Sequence, residues 1–60
     1  MKEKFEIFKD QRGEYRFRLK APNGQIIAVS GEGFTTKQSC LGGIESVKKY
    51  APTAQVHDLT

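Results

Sequence analysis

Three places in the chain carry residue types that could do chemistry. The first is His57-Asp58, the single histidine beside a carboxylate, with a single cysteine, Cys40, as the available thiol. A histidine base needs a partner that orients it, and neighbouring residues of an extended strand project to opposite faces. His57 and Asp58 therefore do not orient one another. Cys40 falls on the apolar stripe of a helix, away from the cations and solvent that lower a thiol pKa. No enzymatic activity is expected. The second place is SGEGFTTK, residues 30–37, where a strand, paired glycines and a helix start could cradle an anion. Thr36 stands where a dinucleotide-binding loop needs its third glycine, and the Gly-Lys-Ser/Thr ending of a phosphate loop is missing. Glu32 would also repel phosphate, so the expectation is a loop ending in a helix cap.

The third place is YRFRLK, residues 15–20, where Tyr15, Phe17 and Leu19 alternate with Arg16, Arg18 and Lys20. Alternate residues of a strand lie about 7 Å apart, a spacing on which cations could follow a nucleic-acid backbone. Arginine also suits two-pronged phosphate contacts. Exposed aromatics for base stacking are missing, because Tyr15 and Phe17 share the face opposite the arginines. Two readings stay open: a binding module whose basic face takes a protein, nucleic acid or other polyanion, or a structural or stress-related accessory protein without a ligand, whose strand face is only solvated. Arg16, Arg18 and Lys20 are the candidate partner-binding residues. They also carry the charge asymmetry: residues 1–10 and 31–60 each balance, and the formal excess of +3 lies in residues 11–30.

The elements that position these residues follow from hydrophobic period and turn chemistry. Residues 4–9, KFEIFK, form a strand with Phe5 and Ile7 on one face and Phe8 on the other. Residues 10–13 turn on Gly13, residues 14–20 form the second strand, and Pro22-Asn23-Gly24 turns the chain again. Residues 25–30, QIIAVS, complete a meander, and the run Ile26–Val29 suggests a central strand covered on both faces. A helix over residues 36–51 places Cys40, Ile44, Val47 and Ala51 on one stripe, capped by Thr35 or Thr36, with Thr35 and Gln38 spaced as a capping box. Ala51-Pro52 ends it. Gly43 sits at the rim of the stripe, where close approach to the sheet would explain it, while Gly42 lies on the opposite face without a packing role. Ala54–Leu59 makes a short last strand. The class is α+β, a βββαβ unit in one domain over residues 1–60.

Sixty residues bury only about 60% of the surface their unfolded chain exposes. One cysteine allows no internal disulfide and no cysteine-based metal cluster, and one histidine allows no His-rich site, so no cofactor or metal is expected. Self-association remains as the supplement to the core. The N-terminal stretch alternates charged and apolar residues and has no run suited to a signal peptide or membrane span. A soluble cytoplasmic protein without membrane contact is expected.

The strings FEIFKD, GEYRFRLKAPNGQIIA and GIESVKKYAP together resemble the YegP-like family of small uncharacterised bacterial and archaeal proteins, from Phe5 to Leu59. The resemblance implies the βββαβ unit, present once or twice per chain. It further implies that units pair into one antiparallel sheet and exchange their C-terminal strands. For a single-unit chain this means a homodimer in which residues 54–59 cross to the partner, with Ala54, Val56, His57 and Leu59 in the exchanged strand. Many relatives have Asn where Gly42 and Tyr50 stand. The family has no established activity, so the resemblance implies a fold and assigns no catalytic residue.

Overall fold

Gly13 and Gly24 take φ of +81° and +89°, the left-handed backbone that closes two hairpins. Next to them, the Asp10 carboxylate accepts from the N–H groups of Arg12 and Glu14, and the Asn23 side chain accepts from that of Gln25. These turns join β1 (Lys4–Lys9), β2 (Tyr15–Lys20) and β3 (Ile26–Val29). The computed structural model describes residues 2–60. The strands form one antiparallel sheet in the order β1-β2-β3, with α1 (Lys37–Tyr50) packed mainly on β2.

Strand alternation sorts the side chains as expected. Phe5, Ile7, Tyr15 and Phe17 face the helix, and Phe17, Cys40 and Ile44 form the buried centre. Phe5 meets Phe17 edge-on at 6.1 Å, and Phe34 stacks on Phe17 at 6.2 Å. Gly43 allows this packing: a Cβ there would stand 3.0 Å from the Phe34 ring and 3.1 Å from the Phe17 ring. A Cβ on Gly42 would meet nothing.

Between β3 and α1 the chain leaves the sheet and returns. The Ser30 N–H donates to the Phe17 carbonyl, and the Ser30 hydroxyl accepts from the Phe17 N–H at 3.2 Å, standing in for a strand carbonyl. Gly31-Glu32-Gly33 then loops out, and Phe34 pairs with Tyr15 through bonds of 2.7 and 2.8 Å. The helix is capped by Thr36, whose hydroxyl accepts from the Ser39 N–H at 3.1 Å. Of the two expected caps Thr36 is the one used, and the Thr35/Gln38 box is not, because the helix begins at Lys37 and the N–H three places after the cap is that of Ser39. A single 3-10 turn over Ala51–Thr53 follows, and Ala51 lies exposed beyond the stripe of Cys40, Ile44 and Val47.

Two expectations are corrected. β3 is not a central strand covered on both faces but the edge of the sheet, with Ile26, Ile27 and Val29 about half exposed. Residues 54–60 form no strand and are exposed throughout, Val56 at 96% and Leu59 at 92%. A strand needs a neighbour for its backbone groups, and the chain's own sheet gives this segment none.

Candidate functional site

The helix covers one face of the sheet, and the opposite face has nothing on it. Register defines three rows on that outer face. Lys4, Lys20 and Ile26 form the first, Glu6, Arg18 and Val29 the second, Phe8 and Arg16 the third. The alternation of β2 thus brings Arg16, Arg18 and Lys20 together on one surface, as the sequence indicated. Sequence reasoning missed Glu6. The Arg18 Nε donates to its carboxylate at 2.8 Å, the Lys20 ammonium lies at 3.5 Å and that of Lys4 at 3.6 Å. The Arg18 hydrogen bond, then the charges of Lys20, Arg18 and Lys4, hold the Glu6 carboxyl below its usual range despite some desolvation.

The remaining cation is held differently. The Arg16 Nη2 donates to the Ser30 carbonyl, while its buried Nε finds no partner among the described residues. The Arg18 guanidinium also lies over the Phe8 ring, 4.8 Å from its centre. Phe8 is the one aromatic that the strand pattern turned away from the core, and its stacking face is taken by arginine.

The other sites of the sequence reading do not assemble. Cys40 is wholly enclosed, and burial pushes its thiol up. His57 stands on the exposed C-terminal segment, and Asp58 beside it accepts from the N–H and hydroxyl of Thr60, which lower its carboxyl pKa. The loop 31–33 borders an open cleft of about 660 Å³ lined by Asp10, Arg12, Glu14, Arg16 and Glu32. Three carboxylates against two guanidiniums make this a mixed surface and not an anion cradle. Gly33 belongs there for steric reasons, since a Cβ would come within 2.8 Å of the Glu14 Cβ. A groove of about 540 Å³ runs between β1 and α1 over Phe5, Ile7, Leu19, Leu41 and Ile44. No group of three or more His, Cys, Asp or Glu among the described residues could hold a metal ion. Among the described residues no helix is long and apolar enough to cross a membrane.

A sequence model for a domain of unknown function, DUF1508, matches residues 10–58. The chain belongs to that family. A UPF0339 protein of Treponema denticola is 60% identical over 53 residues, covering 88% of this chain and 90% of the relative. A UPF0339 protein of Methanosarcina acetivorans is 55% identical over the same shares. Among solved structures, the solution structure of a Haloferax volcanii protein shares 51% identity over 95% of both chains, with a TM-score of 0.90. The solution structure of protein ATU0232 from Agrobacterium tumefaciens shares 47% identity over 95% of this chain and 90% of that one, with a TM-score of 0.77. These relatives bear out the YegP-like resemblance and the α+β unit of three strands and a helix. The DUF1508 family has no known function, so what the outer face does must be argued from its own chemistry.

Proposed function

We propose that this DUF1508 chain is a non-enzymatic binding module that works as a homodimer, exchanging residues 54–59 and engaging a partner through the outer face around Arg16, Arg18 and Lys20. The observation that carries the dimer is surface. A compact monomer of 6.7 kDa exposes about 3,900 Å², whereas this chain exposes 5080 Å². The excess of about 1,200 Å² is more than one partner's share of a standard interface. Its radius of gyration of 12.6 Å likewise exceeds the roughly 10 Å of a compact chain of this length.

Exchange would remove part of that surface. β3 offers an open edge, and the C-terminal segment offers unpaired backbone with Val56 and Leu59 nearly bare. Each apolar side chain of that size contributes about 1.5–3 kcal/mol when fully buried. Pairing the segment along the partner's β3 would make that strand internal, which its apolar run Ile26–Val29 suits. A relative from Stutzerimonas stutzeri, 62% identical over 48 residues, is matched over 42% of its length, which leaves room in that protein for a second unit.

The enclosed Cys40 thiol and the isolated His57 supply no nucleophile–base pair, which favours binding over catalysis. A thiol kept reduced and buried suits a cytoplasmic setting. Light scattering at micromolar concentration tests the assembly. The expected mass is twice 6.7 kDa, and a stable monomer refutes the dimer.

A further inference from the structure

Resting on the reading of this chain as a binding module, we infer that its outer sheet face takes an acidic protein segment in which carboxylates alternate with aliphatic side chains, and that Glu6 occupies the place of one of those carboxylates. Charge gives the sign. Lys4, Arg16, Arg18 and Lys20 stand on this face against Glu6 alone, and that surplus equals the formal excess of the whole chain, +3.

Geometry separates the kinds of anion. Lys4, Arg18 and Lys20 do not run along a line as contacts to a repeating phosphate backbone would. They converge on one carboxylate, all within 3.6 Å. A site of that form fits a discrete carboxylate. The Phe8 ring is not a free platform for a base either, since the Arg18 guanidinium lies over it, 4.8 Å from its centre. The aliphatic half of the pattern comes from the ends of the rows. Ile26 at 49% and Val29 at 50% exposure adjoin Lys20 and Arg18 across the sheet. A nucleic acid leaves that apolar surface uncovered, whereas a segment pairing acids with aliphatic residues covers it. Glu6 then acts as a built-in competitor that keeps the cations paired until a partner's carboxylates add to or displace it.

Amide chemical-shift titration of the isotope-labelled chain at low ionic strength tests this with three probes of equal charge. These are a soluble peptide alternating Glu with Val, poly-glutamate, and an oligothymidylate. The alternating peptide should shift residues 6, 8, 16, 18, 26 and 29 and bind about tenfold tighter than poly-glutamate, the worth of burying one or two aliphatic contacts. Glu6→Gln should tighten peptide binding by about fivefold, the scale of one partly exposed ion pair. Val29→Ser should weaken the peptide and leave poly-glutamate unchanged.

Four results overturn the inference. One is oligothymidylate binding as tightly as the peptide, which would make the face a general polyanion surface. Another is equal affinity for poly-glutamate and the peptide. Weaker binding by a folded Glu6→Gln chain is the third, and the absence of shifts with every probe is the fourth. Light scattering on the same samples separates this surface from the dimer: a monomer that binds the peptide removes only the dimer, and a dimer that binds nothing removes only the surface.

Discussion

Glu6 holds three cations in place, and its protonation should therefore be felt by the whole outer face. Its folded pKa is depressed below the ordinary 4.5, mainly by the Arg18 hydrogen bond. A depressed carboxylate stabilises the fold fully above its unfolded pKa, and that stabilisation is lost as pH falls through the folded value. Denaturant midpoints measured from neutral pH downward should fall more steeply below pH 4.5 in the parent than in Glu6→Gln. Parallel profiles would show that the ion cluster contributes nothing to stability, as many exposed pairs do not. The loss in Glu6→Gln should be modest for the same reason, which leaves the variant usable for binding measurements. In the sequence, the alternation of β2 already announced where Arg16, Arg18 and Lys20 point. Glu6 was invisible as their counter-charge because it lies twelve residues before Arg18 and meets it only through the hairpin register. Charge counts along the chain assigned that excess to residues 11–30, whereas pairing across strands redistributes it.

At the scale of elements, α1 carries adjacent glycines with opposite consequences. Glycine costs a helix interior about 1 kcal/mol relative to alanine. At Gly42 a Cβ meets nothing, so Gly42→Ala should stabilise by about that amount. At Gly43 the same gain is opposed by two aromatic rings at 3.0 and 3.1 Å, Phe34 partly buried and stacked on the buried Phe17. Gly43→Ala should therefore lower the unfolding midpoint while Gly42→Ala raises it, and thermal melts of both variants check the contrast. Equal shifts of the same sign would show that propensity alone governs this helix. The helical wheel separated these glycines correctly, since the side of a helix follows from period alone. Sequence left the cap open between Thr35 and Thr36 because adjacent threonines offer the same chemistry, and backbone geometry chose Thr36. β3 was the harder element. The run Ile26–Val29 reads as a strand with neighbours on both sides, yet within one chain it is an edge. Local pattern encodes what a strand needs, and it is silent on which chain supplies it.

At the scale of the molecule, the proposed exchange joins two features, the open β3 edge and the unpaired segment 54–60. Residues 54–60 form no strand and are exposed, and a seven-residue segment with bare Val56 and Leu59 would contribute little to a monomer. Under exchange it would belong to the fold of the other copy. The two cases differ in mass action, because a dimer's stability rises with protomer concentration and a monomer's does not. The thermal midpoint of the full chain should therefore increase with dilution reversed, from nanomolar to high micromolar protein. Removal of residues 54–60 should abolish that dependence and leave a weak or unfolded monomer, since the three-strand sheet would keep a bare apolar edge. Adding a synthetic peptide of residues 53–60 in trans should restore part of the lost stability by occupying the β3 edge, with shifts at Ile26–Val29 in amide spectra. A truncated chain that still dimerises with the same concentration dependence would place the interface elsewhere, and the groove between β1 and α1, floored by Phe5, Ile7 and Leu41, would be the surface to map next.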